Sequence, residues 1–598
     1  MRWESCWLTE AAVPETLQTP LDTARWELAQ AGAACALTVD AALYDGYEIA
    51  ADGGAIKGGE TGVLYGAYRM LEWKRVGRAL PRGRQAPAFA LRMLDHWDAM
   101  DGHVERGYAG RSIFFEKNDF RGDDARLRAY ARLLASVGVN AVCLNNVNVV
   151  KPAQELIGDR FLPKVAHAAK IFAAFGIRLL LSVDYSMPVQ NGLTTADPLD
   201  ETVWEWWRER ARLIYRHIPN FCGFLVKADS EFRPGPYTYS RSHAEGANML
   251  ARALKPFGGV VVWRCFVYNC RQDWRDTKTD RPMAAYENYA HLDGQFDDNV
   301  ILQIKNGPFD FQVREPVSPL FYAMPNTRKA LEFQLAQEYT GQQIDLYAMQ
   351  GMFNEVMSGL PAGSVHAISA VSNTGYDACW TGHPFAQLNL YAYGQTAWQP
   401  MQSFQETTRR WARLSYGLRG KALDTLTDML LRSREVYEKY TAPLGICWMV
   451  NPNHHYGPGP MGYEYSAWGT YHRADREAVG IDRTAAGTGY LMQYPPEYRK
   501  KYETKEACPD NLLLFFYRLA YTYRMRDGRT LIRRIYDDHE QGALEAVALA
   551  ASLRTLKGAL PDGVYAAAAE RMDRQLQNAR EWRDVLKDFF HRLSGVDA

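Results

Sequence analysis

Eight short apolar runs, separated by amphipathic stretches of helical period, constrain this 598-residue chain more than any other feature of its sequence. They are ALRMLDHWD (90–98), VNAVCLNNVN (139–148), IRLLLSVDYS (177–186), CGFLVKADSE (222–231), GVVVWRCF (259–266), NVILQIKNGPFD (299–310), KALEFQLAQEY (329–339) and HAISAVSNTG (366–375). Between them, stretches such as DDARLRAYARLLASVG (123–138) and AEGANMLARALKPFGG (244–259) repeat apolar residues at helical spacing. Gly138, Gly176 and Gly258 fall where a helix C-terminus favours glycine. Parallel strands need long crossovers, and eight strand–helix units over about 290 residues predict a (β/α)8 TIM barrel.

The flanks read differently. Residues 1–88 predict a small α+β unit, with a hairpin in YEIAADGGAIKGG (47–59), a helix in TGVLYGAYRMLEWKRV (61–76) and a Pro-rich linker in PRGRQAPA (81–88). Beyond about residue 395 the stretches QSFQETTRRWARLSYG, KALDTLTDMLLRSREVYEKY, NLLLFFYRLAYTYRM and 541–593 read as helices. The expected division is an N-terminal α+β domain (1–88), the barrel (89–395) and a mainly helical C-terminal domain (396–598). One loop, 451–484, is rich in Gly, His, Tyr and Trp, and a loop of that length is more often functional than not.

In a (β/α)8 barrel the C-terminal strand ends build the active site. Here they supply Asp95 and Trp97 on the first strand, Asn145, Asn146 and Asn148 on the second, and Asp184 on the third. The fourth gives Lys227, Asp229 and Glu231, which share one face if the strand stays extended. Arg264 ends the fifth, Lys305 and Asp310 the sixth, and Gln337 and Glu338 the seventh. Three cations from consecutive strands, Lys227, Arg264 and Lys305, suit a carboxylate or phosphate ligand. Their bland alternative is a structural network with Asp229, Asp310 or Asp95.

Glu231 faces Asp310 and Glu338 across the barrel mouth. Two acids flanking a sugar are the minimum apparatus for glycoside hydrolysis: one protonates the departing oxygen while the other activates water or attacks. Strands three apart favour the wide separation of about 6.5–9.5 Å that admits a water, hence inversion. A general acid working near neutral pH needs a raised pKa, and a neighbouring cation such as Lys227 pushes the other way.

Composition narrows the partners. Lys plus Arg equals Asp plus Glu at 69 each, so no net charge recommends nucleic acid or an anionic membrane. MRWESCWLTEAAVPETL lacks the basic start and apolar core of a secretory signal, and no run reaches 18 apolar residues. The 9 Cys are scattered without a C-x-x-C pair, which fits reduced thiols in a cytoplasm. There is no Gly-rich phosphate loop, H-E-x-x-H or G-x-S-x-G, and His454, His455 and His472 have no acid at metal-ligand spacing. No cofactor and no metal are expected. The 35 Tyr and 16 Trp suit sugar faces, and packing equally.

At LRMLDHWDAMDGHVERGYAGRSIF, LNNVN, GLTTADPLD, GFLVKADSE, VVWRCFVYN, NVILQIKNGPFDFQVREPVSPL, QEYTGQQ, HHYGPGP and WGTYHRADR the chain resembles the bacterial α-glucuronidases of glycoside hydrolase family 67. The resemblance runs from about residue 40 to the C-terminus, with an N-terminal part shorter than family members usually have. It implies inverting, metal-free release of α-1,2-linked (4-O-methyl-)glucuronic acid from the non-reducing end of xylooligosaccharides. The substrates would be glucuronoxylan-derived aldouronic acids. It also implies roles: Glu231 as general acid, and Asp310 and Glu338 as the pair that holds and deprotonates the water. Position alone leaves open which of the two takes the proton. Lys227, Arg264 and Lys305 match the uronate contacts, and Trp97, Val147 and, from the late loop, Trp468 the apolar wall. A homodimer through the C-terminal domain is implied as well. Two rivals are a hydrolase of another acidic or N-acetylated sugar and a sugar-binding relative without activity. An N-acetylated sugar would leave the three cations unexplained; the second rival predicts loss of Glu231, Asp310 or Glu338, and all are present.

Overall fold

The computed structural model describes residues 5–266, 280–372, 374–461 and 471–598. Its centre is a closed barrel of eight parallel strands: β1 (Leu91–Asp95), β2 (Ala141–Cys143), β3 (Arg178–Val183), β4 (Gly223–Val226), β5 (Val260–Arg264), β6 (Val300–Lys305), β7 (Lys329–Gln334) and β8 (Ala367–Val371). Each pairs with its neighbour in sequence, and β8 closes on β1. The (β/α)8 expectation holds, with one strand inside each of the eight runs.

Alternation along the strands sorts their side chains. Met93, Leu225, Val262, Ile301, Ala330 and Ala367 fill the barrel interior, while Leu94, Phe224, Val261 and Leu302 face the surrounding helices. Nearer the C-terminal ends the inward positions turn polar. The register sets Arg264 beside Gln303, and Lys305 beside Glu332. Apolar layers below and charged layers above follow from a period of two.

The crossover helices start at side-chain caps. Asp123 accepts from Arg126 N, Asp200 from Thr202 N, and Ser242 with Glu245 forms a capping box; such caps contribute about 1 kcal/mol each. Gly138, Gly176 and Gly258 take φ of 81, 73 and 75° at the junctions where glycine was expected. After β5 and β6 the helices shrink to 6 and 4 residues, Ala284–Tyr289 and Leu320–Ala323.

Before the barrel, strands Ala36–Val39, Tyr47–Ile49 and Ala55–Gly58 form a three-stranded sheet beside helices Pro20–Gln30 and Glu60–Val76. The expected hairpin and helix are present. Asp45 ties this sheet to the barrel by accepting from Arg92 Nη2 at 2.7 Å and Asn140 Nδ2 at 3.1 Å. Glu27 receives Arg132 at 2.6 and 2.8 Å in a buried bidentate pair.

After the barrel, helices Gly420–Thr441, Leu531–Arg554 and Asp562–Ser594 pack together. Gly542 allows the closest approach, since a Cβ there would lie 2.5 Å from Tyr440 N. One expected helix is corrected: within NLLLFFYRLAYTYRM only Leu513–Phe516 is α-helical, and Leu519–Ala520 pairs antiparallel with Ala478–Val479. Leu512–Tyr517 is an uninterrupted apolar stretch, so it carries no period that selects helix over strand. No described helix is long and apolar enough to cross a membrane.

Candidate active site

The strand-end residues converge on a cavity of about 310 Å³ at the C-terminal mouth of the barrel. Its walls include Trp97, Val147, Lys227, Glu231, Arg264, Lys305, Asp310 and Glu338, eight of the nine site residues expected from sequence. The ninth, Trp468, lies outside the described residues. Asp95, Asn145, Asn146, Asp184, Asp229 and Gln337 do not line the cavity and are held in supporting contacts.

The loop after β4 departs from the extended geometry expected of it. The strand ends at Val226, and Asp229, Glu231 and Phe232 take positive φ of 52, 46 and 65°. Non-glycine residues are uncommon there, and runs of them concentrate at functional sites. The turn breaks the alternation: Asp229 points away, accepting Tyr237 N at 3.1 Å, while Lys227 and Glu231 meet each other. Only two of the three charges therefore share the cavity.

Each of the three cations holds a carboxylate. Lys227 Nζ donates to Glu231 Oε2 and, at 2.9 Å, to Asn148 Oδ1. Arg264 pairs with Glu332 at 3.0 Å below the cavity, where their side chains are 4% and 1% exposed. Lys305 meets Asp310 Oδ1. Asp310 Oδ2 also accepts from Arg281 Nη2 at 2.9 Å and Tyr339 OH at 3.0 Å. The structural pairing is thus present, but of the expected partners only Asp310 is used; Glu231 and Glu332 replace Asp229 and Asp95. The ring of Phe266 sits among the cations, 3.6 Å from Lys305 Nζ and 5.4 Å from Lys227 Nζ.

Glu338 is framed from three directions. Its Oε1 accepts from Arg106 Nε at 2.9 Å and His455 Nδ1 at 2.8 Å, and its Oε2 from Gln334 Nε2 at 2.9 Å. His455 belongs to the long late loop, so the C-terminal region completes the site. Its ring stacks on Tyr339 at 4.5 Å. His472, by contrast, bonds the Pro460 carbonyl at 2.7 Å.

These contacts decide the charges. Burial raises the proton affinity of all three site acids, yet each is held below its ordinary range. For Glu231 the charge and hydrogen bond of Lys227 prevail. For Asp310 Lys305 and Arg281 prevail, and hold it far lower. For Glu338 His455 and Arg106 prevail. Under the floor of the cavity, burial and the nearby Glu332 push Asp95 up to about 8, against a 2.6 Å hydrogen bond from Gln303. Opposing acids, a cation cluster and a flat apolar wall suit an acidic sugar cleaved by proton transfer at two faces.

Sequence reasoning missed Arg106, Phe266, Arg281 and Tyr339, and found no role for Glu332 or His455. Glu332 had a signal: Ala330, Glu332 and Gln334 alternate on the inward face of β7. The others sit on loops or just past strand ends, where spacing carries no geometric rule.

Residues 79–372 match the model of the "Glycosyl hydrolase family 67 middle domain", and 381–598 that of the "Glycosyl hydrolase family 67 C-terminus". The chain is 40% identical over 559 residues to a "Probable alpha-glucuronidase A" of Aspergillus clavatus, covering 90% of this chain and 66% of the relative. It is 39% identical over 586 residues to "Alpha-glucuronidase A" of Emericella nidulans, covering 93% and 69%. With "Alpha-glucuronidase" of Hypocrea jecorina the figures are 37%, 92% and 68%. The chain therefore spans about two thirds of the length of these relatives. Among solved structures, a GH138 enzyme targeting pectin rhamnogalacturonan II aligns with a TM-score of 0.54 at 12% identity, over 93% of this chain and 81% of that one, a likeness of fold alone.

Proposed function

The chain belongs to glycosyl hydrolase family 67, and on that premise we propose that it releases α-1,2-linked (4-O-methyl-)glucuronic acid from the non-reducing end of xylooligosaccharides, with inversion. The observation that carries the reading is the meeting of three cations and three carboxylates from β4 to β7 in one cavity. Lys227, Arg264 and Lys305 receive the uronate carboxylate, which gives a chain of zero net charge a reason to select an acidic sugar. Trp97 and Val147, which line the cavity, contact the sugar and its methyl ether.

Glu231 donates a proton to the glycosidic oxygen. On the far side a water attacks C1, held by Asp310 and Glu338. Between these two, Asp310 contacts two cations and a phenol, so its proton affinity is the lower. Glu338, framed by Arg106, His455 and Gln334, takes the proton. We read the division 1–88, 89–395 and 396–598 as three domains, with the late loop of the third closing the site. The protein acts as a homodimer in a cytoplasm, and Leu544 and Val547, 56% and 41% exposed on one C-terminal helix, are candidates for the contact.

The direct test is incubation with aldotetraouronic acid, a methylglucuronate on xylotriose. Uronic acid and xylotriose in equal amounts are expected, with no cleavage of uncharged xylosides. Cleavage of an uncharged xyloside without uronic acid release would refute the reading.

A further inference from the structure

The three cation–carboxylate pairs at the cavity are not equivalent. Glu332, the partner of Arg264, is buried and is not among the residues that line the cavity, whereas Lys227, Glu231, Lys305 and Asp310 are. Asp310, were Lys305 to turn away, would keep Arg281 Nη2 at 2.9 Å and Tyr339 OH at 3.0 Å. Glu231 has no such reserve: among the described residues its carboxyl accepts a hydrogen bond from Lys227 Nζ alone. Lys227 is 2% exposed and fixed on its other side by Asn148, whereas the Glu231 side chain is 30% exposed toward the mouth. Whatever engages the Lys227 ammonium thus decides whether Glu231 keeps the cation that it touches directly.

We propose that the substrate's carboxylate takes Lys227 from Glu231, so that the charge by which the substrate is selected also arms the acid that cleaves it. The inference rests on the reading of Glu231 as general acid. A uronate bound to the cation cluster neutralises Lys227. Glu231 is then left without its direct cation partner, facing the negative charge of Asp310, and takes up one proton from solvent. As the C1–O bond breaks with its electron pair on the leaving oxygen, that proton passes to the xylose hydroxyl. The attacking water gives its oxygen to C1 and its proton to the Asp310–Glu338 pair. An uncharged sugar of the same shape leaves the Lys227–Glu231 pair intact and finds the acid without its proton.

The charged groups around Glu231 all bear on this exchange. Lys227 lies on its own strand end, and Lys305 and Asp310 come from β6 and the loop after it. Arg233, two residues on, donates to Val149 O at 2.9 Å. Glu105, from the loop after β1, holds Asn148 Nδ2 at 3.1 Å and so steadies the second anchor of Lys227. Among the described residues, only the Lys227 contact is a direct link to Glu231 that the substrate's carboxylate would compete for.

Two measurements on the full chain test the exchange. The alkaline limb of kcat/KM reports the acid in the free enzyme and that of kcat the acid in the complex. With aldotetraouronic acid the kcat limb is expected about one pH unit or more above the kcat/KM limb; coincident limbs would overturn the proposal. The second measurement uses the same oligosaccharide with its carboxyl reduced to the alcohol. Lys227→Met is expected to lower kcat/KM on the uronate but to raise it about tenfold at pH 7 on the neutral analogue, the effect of a one-unit rise in the acid's pKa. A lysine that only binds substrate would leave the neutral analogue unaffected, and that result also overturns the proposal. Absence of uronic acid release by the unaltered protein is a different failure, which removes the reading of the site itself.

Discussion

Replacing His455 with alanine isolates the contribution of the C-terminal region to the chemistry. His455 lies 117 residues from Glu338 in sequence and donates Nδ1–H to its Oε1 at 2.8 Å, since an ionised carboxylate can only accept. A hydrogen bond to a charged group contributes about 1.5–3 kcal/mol, and screening is weak because the two side chains are 2% and 9% exposed. One pKa unit corresponds to about 1.4 kcal/mol, so losing the bond raises the proton affinity of Glu338 by about 1–2 units. The sign follows from its role. Glu338 must be unprotonated to accept a proton from water, and His455 helps hold its pKa below the ordinary value. His455→Ala should therefore move the acidic limb of the kcat/KM profile upward by about 1–2 pH units, with the greatest loss at the acidic end of the profile and a smaller loss toward its alkaline end. His455→Asn, which returns an N–H near the position of Nδ1, should recover part of the shift. A uniform loss at every pH, with the limb unmoved, would refute the assignment of the proton to Glu338.

Glu231→Gln should lower turnover of aldotetraouronic acid by about 10²–10⁴-fold, and far less with a 4-nitrophenyl leaving group that needs no protonation; equal losses on the two substrates would remove Glu231 from the role of acid. Glu332→Gln leaves the buried Arg264 uncompensated and should cost about 3–5 kcal/mol in chemical denaturation, so an unchanged midpoint would mean the pair carries no stability. Asp95, with its folded pKa raised to about 8 against an ordinary 3.8, binds more protons folded than unfolded between these values, so the stability it confers falls as pH rises through that window. Asp95→Asn should flatten the pH dependence of the melting temperature between about pH 4 and 8, and an unchanged slope would mean that Asp95 is ionised in the folded protein.

The barrel was legible because parallel strands buried on both faces write themselves as apolar runs, and because glycines mark their helix junctions. Site residues at strand ends were legible for the same reason: once a run is a strand, its last inward positions must face the mouth. Lys305 and Arg264 follow from that rule alone. It fails where the backbone leaves extended geometry, as at Asp229, Glu231 and Phe232, whose positive φ values nothing in KADSEF announces. It is silent on partners supplied by loops: Arg106 reaches Glu338 from the loop after β1, Arg281 reaches Asp310 from the neighbouring connection after β5, and His455 arrives from beyond the barrel. Their positions are set by tertiary packing. The resemblance to a known family named the acids and the uronate contacts, but not these supports.

The most direct test of the account follows the anomeric proton of the released sugar by NMR during the first minutes with aldotetraouronic acid. Water delivered by Asp310 and Glu338, opposite the departing xylose protonated by Glu231, produces the β-anomer of the uronic acid first, with the α-anomer appearing only by mutarotation. Initial release of the α-anomer would contradict the roles given to Asp310 and Glu338, because it requires a second displacement at C1.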